Sequence, residues 1–257
     1  MYMKKIYLLF GLNTLLCFSL VAQEPQVIAH RGFWQSKGAS QNSIAALEQA
    51  DRINIYGSEF DVHMTEDGVL VVFHDNKINE IEIQKVTYAT IKDIPLSNRE
   101  RIPTLREYLE AAKHTDIRLI FELKSHATPE RNREAASASV ELVREKGLQH
   151  RTEYITFNLD AGTELIKLAP EADVYYLNGE LSPQELKALG FAGLDYHYNV
   201  LKQNPHWFKE AKMLGMGINV WTVNDTTLMR EMVDYGVDFI TTDIPSEALK
   251  FISTMNK

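Results

Sequence analysis

The sequence predicts an α/β fold: a (β/α)8 TIM barrel carrying a small β-hairpin after its second strand. Three observations predict it. Eight apolar, β-branched runs recur along the chain, stretches of helical periodicity lie between them, and the polar residues suited to chemistry fall towards the ends of those runs. Strands alternating with helices favour a parallel sheet, and eight repeats over about 235 residues favour closure into a barrel over an open doubly wound sheet. At 257 residues the chain is long for an ordinary domain and usual for such a barrel.

The first segment stands apart from that barrel. Lys4 and Lys5 give a positive start, and Ile6–Ala22 is apolar apart from Gly11, Asn13, Thr14 and Ser19. This reads as a secretory signal peptide over residues 1–22, cleaved after Ala22 or Gln23. Its apolar core is short for a membrane span of about 20 residues. Cys17, the single cysteine, lies inside it, so the one domain expected over residues 23–257 depends on no disulfide. Lipid attachment at Cys17 is disfavoured, because Leu16 is not the small residue expected directly before a lipidated cysteine. The expected location is the periplasm or the extracellular space.

The candidate strands follow in order: Gln26–His30, Gly57–His63, Ile117–Lys124, Tyr154–Asn158, Asp173–Leu177, Phe191–Tyr196, Gly217–Val223 and Phe239–Asp243. Between them, helical periodicity marks Ser43–Asn54, Thr104–Lys113, Pro129–Lys146, Pro205–Leu214, Thr226–Tyr235 and Pro245–Met255. The additional run Val69–Phe73 follows the turn residues Glu66, Asp67 and Gly68 and is expected to fold back on Gly57–Met64. That hairpin returns His74 towards the barrel mouth. Beyond the βα alternation there is no internal repeat, no low-complexity tract and no linker long enough to separate a second domain.

Composition, at 45% hydrophobic and 24% charged residues, is that of an ordinary globular protein. Loss of Lys4 and Lys5 with the leader takes the formal charge from −8 to −10. Such a surface repels nucleic acid, so no nucleic-acid partner is expected. An anionic substrate would need a cation or a few placed basic residues to hold it against the global field.

His30 ends the first candidate strand, Glu59 and Asp61 sit in the second, Glu122 and Lys124 end the third, Trp221 lies near the end of the seventh, and Asp243 ends the eighth. In a barrel these positions share one mouth. Glu59 and Asp61, two apart in a strand, project to one face. Two buried carboxylates side by side are costly unless something compensates. A hard divalent cation, Ca²⁺ or Mg²⁺, is one compensation; a salt bridge to Lys124 or Arg31 is the other. Glu122 adds a third acid. His30 and His74 titrate near neutrality and suit proton transfer at phosphorus, with Arg31 to grip phosphate oxygens and Asp75 to orient an imidazole. His63 is expected to support the site from behind, whereas His114, His126, His150, His197 and His206 are expected at surface or packing positions.

These residues resemble a known family, the glycerophosphodiester phosphodiesterase domain. The likeness runs through Val27–Gly32, Glu59–Val62, Thr65–Asp75, Ile102–Leu105, Phe121–Lys124, Val220–Asp225 and Gly236–Asp243, in the family's order over essentially the whole mature chain. It implies an acid/base pair at His30 and His74 and metal carboxylates at Glu59, Asp61 and Glu122. It also implies phosphate contacts from Arg31 and Lys124 and a pocket wall at Trp221. Two departures stand out. Ser40-Gln41-Asn42-Ser43 replaces the family's Pro-Glu-Asn-Thr, which removes a charge at Gln41 and would weaken a direct metal bond there, while Ser43 can still cap the helix. Asn76-Lys77-Ile78 follows His74-Asp75 where a Thr-Leu-Arg-like stretch is usual, a change that bears on the head group.

The expected activity is metal-dependent hydrolysis of a small-molecule glycerophosphodiester to glycerol 3-phosphate and an alcohol. Two other readings compete: a phospholipase-like enzyme on intact lipids at a membrane surface, with Phe33 and Trp34 as its apolar rim, and a phosphodiester-binding protein without turnover. The sequence specifies no oligomeric state.

Overall fold

The computed structural model describes residues 24–255, so the expected leader and Cys17 lie outside the described residues. Eight parallel strands form the barrel: β1 (Gln26–Ala29), β2 (Gly57–Met64), β6 (Arg118–Leu123), β7 (Thr152–Thr156), β8 (Val174–Tyr176), β9 (Gly193–His197), β10 (Gly217–Trp221) and β11 (Phe239–Thr242). Each pairs with the next, and β1 pairs with both β11 and β2, which closes the sheet. All eight expected strands are present, with ends shifted by one or two residues.

Side-chain alternation sorts the strands into two faces. Outward residues such as Phe60, Val62, Leu119 and Phe121 join the main core beneath the helices. Inward residues Ile28, Ile120, Ile155 and Tyr175 form a separate apolar plug in the barrel lumen. At the amino-terminal end Glu153 accepts from Tyr56 Oη and, at 2.6 Å, from Arg118 Nε, closing the base with a satisfied ion pair. Tyr175 lies flat against the neighbouring strand: a Cβ on Gly193 would sit 2.2 Å from its ring, so only glycine fits there.

The helices are α1 (Ile44–Arg52), α2 (Tyr88–Ile91), α3 (Leu105–Ala112), α4 (Pro129–Glu145), α5 (Leu159–Leu168), α6 (Pro183–Leu189), α7 (Tyr198–Gln203), α8 (His206–Met213), α9 (Thr226–Tyr235) and α10 (Pro245–Thr254). Their starts are encoded locally. Ser43 Oγ accepts from Ala46 N at 3.0 Å and caps α1, and Thr104 with Glu107 makes a capping box on α3.

The expected hairpin forms: β3 (Leu70–Val72) runs antiparallel to β2, with Val72 opposite Val62. It belongs to a larger addition than expected. A second small hairpin, β4 (Lys77–Ile78) with β5 (Ile81–Glu82), and α2 follow it. Val71, Ile78, Ile83, Ile91, Leu96 and Ile102 give this excursion its own core. Those residues are scattered among short turns, so no run is long enough to show a period.

Candidate active site

The loop after β1 opens the site. Arg31 and Gly32 both take left-handed backbone conformations, with φ of 56° and 76°. A Cβ at Gly32 would lie 2.7 Å from the Cβ of Ala46, so the chain folds tightly over α1 only with glycine here. The turn delivers the Arg31 amide to Glu59 Oε2 at 2.7 Å and its guanidinium Nη1 to Gln41 Oε1 at 2.8 Å. Next to Gln41, Asn42 clamps Asp61 twice: its Nδ2 donates to Asp61 Oδ2 at 2.8 Å, and its Oδ1 accepts from the Asp61 amide at 3.0 Å.

Asp61 and Glu122 are register partners on adjacent strands, with Glu59 two residues before Asp61 on the same face. Ligand oxygens of the three lie within 4.8 Å of one another, and all three residues are buried. Lys124 Nζ sits 3.2 Å from Asp61 Oδ1 and 2.7 Å from Glu122 Oε1; the second contact is an ion pair lacking hydrogen-bond alignment. This crowding divides the acids. Burial disfavours the Asp61 carboxylate, but Lys124, His74, Asn42 and Arg31 outweigh that and hold it at about 2. Burial and then the Asp61 charge push Glu122 up to about 7. Burial and its two acidic neighbours push Glu59 well above the carboxylate range. Lys124, despite burial, is held more firmly protonated by Asp61 and Glu122. Glu59 Oε1 has no hydrogen-bond partner. Three converging carboxyl groups whose burial and mutual repulsion hold two of them above the carboxylate range, with Glu59 Oε1 left unpartnered, fit a hard divalent cation.

Both histidines have Nδ1 engaged by a carboxylate. His30 Nδ1 lies 2.9 Å from Asp243 Oδ1, and Asp243 also accepts from Trp34 Nε1 at 3.1 Å and from Asn224 Nδ2 at 2.6 Å. Burial would raise Asp243, but those partners hold it at about 2. His74 Nδ1 lies 2.6 Å from Asp75 Oδ1, and burial lowers the His74 pKa. Behind it, His63 is fully buried, its Nε2 3.2 Å from the His74 carbonyl and its Nδ1 2.9 Å from Gln84 Nε2. Burial drives His63 down to about 4, so it is neutral and supports the His74 backbone.

A pocket of about 100 Å³ is lined by His30, Arg31, Glu59, His74, Glu122 and Trp221, among others. Trp221 is fixed by its Nε1 on the Asp195 carbonyl at 2.8 Å and by edge contacts with Phe157 and His197. A larger cleft of about 510 Å³, with Asn76, Lys77, Gln84 and Ser125 on its walls, contains neither catalytic candidate histidine and none of the three acids.

Residues 30–247 match the model of the glycerophosphoryl diester phosphodiesterase family. The chain belongs to that family. A glycerophosphodiester phosphodiesterase from Caldanaerobacter subterraneus is 28% identical over 242 residues, covering 88% of this chain and 97% of its own. The crystal structure of a glycerophosphodiester phosphodiesterase from Parabacteroides distasonis is similar, with a TM-score of 0.90, 58% identity, and coverage of 91% of this chain and 99% of that one. A phosphodiesterase from Oleispira antarctica, solved in complex with the product sn-glycerol 3-phosphate, matches with a TM-score of 0.77 and 28% identity over 89% of this chain and 97% of that one.

Within this phosphodiesterase barrel, His30, His74, Glu59, Glu122, Arg31 and Trp221 line one pocket, and Asp61 and Lys124 complete the charge cluster behind it. Gln41 grips Arg31, so its missing charge falls beside the arginine. Phe33, partly buried, packs on the main core, and Trp34, also partly buried, donates to Asp243. Sequence reasoning passed over the partnerships of Asp243, Asn224 and Asn42. Position at a strand end was the only signal for Asp243. His197, expected among surface or packing residues, ends β9 and packs against Trp221 at the mouth, while His126 is a packing residue whose Nε2 accepts from Met64 N at 3.1 Å.

Proposed function

We propose that the protein hydrolyses glycerophosphodiesters to sn-glycerol 3-phosphate and an alcohol, with one divalent cation, Ca²⁺ or Mg²⁺, at Glu59, Asp61 and Glu122. The observation that carries this reading is the single pocket shared by two carboxylate-oriented histidines and the buried acids. When bound, the cation neutralises phosphate charge and acidifies an attacking hydroxyl. Arg31 and Lys124 supply the positive charge that the acidic surface lacks and orient the phosphate. With Nδ1 of His30 and His74 committed to Asp243 and Asp75, their Nε2 atoms serve proton transfer, one accepting from the attacking hydroxyl and the other donating to the leaving alcohol. Trp221 walls the pocket.

The engagement of Phe33 by the core and of Trp34 Nε1 by Asp243 favours a small-molecule substrate over intact lipid at a membrane surface. The basic start and apolar core of residues 1–22 support export, which amino-terminal sequencing of the mature protein would test. For the activity itself, alcohol release from glycerophosphocholine and glycerophosphoethanolamine is measured with Ca²⁺, with Mg²⁺ and with chelator, alongside His30→Ala and His74→Ala. Turnover that survives chelation, or an unimpaired histidine variant, would sink the mechanism. Recovery of a cyclic glycerophosphate would mark attack by the substrate's own 2-hydroxyl; its absence throughout the time course would mark attack by water.

A further inference from the structure

Asp195 lies in the middle of β9, 1% exposed, with its side chain on the pocket wall. Four pocket-lining residues keep a buried polar side-chain atom without a hydrogen bond: Arg31, Glu59, Glu122 and Asp195. The first three belong to the phosphate and cation cluster already described. Asp195 does not, because the group of convergent acids comprises Glu59, Asp61 and Glu122 alone among the described residues. Asn219 reaches the carboxyl group but leaves its Oδ1 without a partner, and the Asp195 carbonyl is taken by Trp221.

An orphaned buried polar atom is destabilising, a penalty that an apolar residue at this position in the lumen would avoid. The adjacent Ile155 and Leu177, which do line the same pocket, show that the wall accepts such residues. The orphan is therefore matched by something that enters the pocket. Its chemistry follows from the surroundings. No basic side chain forms an ion pair with Asp195 among the described residues, and burial pushes its carboxyl well above the carboxylate range, only partly offset by Asn219. A neutral carboxyl group both donates and accepts, which suits an alcohol hydroxyl better than an ammonium group.

We propose that Asp195 is a substrate-positioning residue whose carboxyl group hydrogen-bonds a hydroxyl of the bound diester and so selects hydroxylated phosphodiesters. This rests on the activity proposed above and names a specificity element within it. The hydroxyl can belong to the glycerol unit or to a hydroxylated leaving alcohol, and the test separates the two.

Binding of sn-glycerol 3-phosphate and of propyl phosphate, the same dianion on three carbons without hydroxyls, is measured by calorimetry at saturating Mg²⁺ and at saturating Ca²⁺. The unchanged protein is expected to prefer the glycerol compound by roughly tenfold, the worth of one buried hydrogen bond. Asp195→Ala should bind both alike, with propyl phosphate held as in the unchanged protein, and Asp195→Asn should keep most of the preference. An Asp195→Ala protein that keeps the full preference on both this pair and the diesters below overturns the proposal. So does one that loses propyl phosphate equally, since that marks a structural residue. If only the kcat/KM for glycerophosphoglycerol falls in Asp195→Ala, while glycerophosphoethanol is unaffected, the hydroxyl lies on the leaving alcohol. Because binding is read without turnover, failure of the proposed hydrolysis is distinguishable from failure of this assignment.

Discussion

His30 at the end of the first barrel strand and Asp243 just past the last are joined by a 2.9 Å hydrogen bond, although 213 positions separate them in the chain. Closure of β1 against β11 makes that contact, with Ala29 in register with Thr242. Trp34 and Asn224 add two further donors that keep Asp243 anionic. Asp243→Asn would offer those three groups an amide in place of a carboxylate and release the His30 ring. We expect kcat to fall roughly 10²- to 10³-fold, in the range of a disabled acid/base group, with KM and melting temperature little changed. Steady-state kinetics on glycerophosphocholine would check it; a matching rise in KM would point to substrate binding instead.

The three acids set against each other predict an unusual pH dependence for the cation-free protein. Glu122 has a folded-state pKa of about 7, above its unfolded value, so the folded state holds the extra proton between pH 4.5 and 7. Its contribution to stability is present below that window and is lost as pH rises through it, on the order of 3 kcal/mol. Urea unfolding in chelator should show this as a difference between the unchanged protein and Glu122→Gln. With Ca²⁺ or Mg²⁺ the loss should shrink, because a cation takes over the role of the proton and its affinity rises with pH. An identical pH profile in the two proteins would count against the coupled acid cluster.

Removing the crowding should also show at fixed pH. Glu59 keeps an unpartnered Oε1 and a pKa raised by burial and by both neighbouring acids. At pH 8 in chelator, Glu59→Gln is expected to stabilise the fold by about 1–2 kcal/mol, while weakening cation binding at least tenfold by calorimetry. A destabilised variant with unchanged cation affinity would assign Glu59 a structural role.

How much of this was legible in the chain depends on whether the signal was local. The eight strands are short β-branched runs separated by helical periods, so their number, order and closure could be read directly. Glu59 and Asp61 declared a shared face through their spacing of two. Partnerships made by closure carried no such mark: nothing near Asp243 announces His30, and nothing near Asn42 announces Asp61. Residues 77–103 were opaque for a different reason. Their core comes from single isoleucines and leucines placed by turns, each too isolated to define a period. Asp195 carries no local mark either, because only the lumen reveals that its Oδ1 has no partner.

His63 carries a second pH prediction of opposite sign. Buried and neutral with a pKa of about 4, it must be charged on unfolding below pH 6.5, so its contribution to stability is lost as pH falls from 6.5 towards 4. His63→Gln should flatten that acid limb in chelator-free unfolding experiments. It should also lower kcat several-fold, because Nε2 of His63 holds the carbonyl of His74. An unchanged acid limb would show that His63 is solvated.

Gln41 offers the sharpest separation between charge and contact. Its Oε1 accepts from Arg31 Nη1 at 2.8 Å, whereas the acids converge on a point defined by Glu59, Asp61 and Glu122. With that contact kept, Gln41→Glu is expected to add an ion pair to a guanidinium that is already oriented, and no oxygen to the cation. Cation affinity should stay within about threefold of the unchanged protein. The half-buried Arg31, now more fully neutralised, should hold phosphate less strongly, raising KM by roughly two- to fivefold for a charge-assisted contact weakened but not broken. Calorimetry with Mg²⁺ and Ca²⁺ and steady-state kinetics decide it together. A tenfold gain in cation affinity would instead place residue 41 among the ligands, and would mean that the turn carrying Arg31 reorganises when the cation binds.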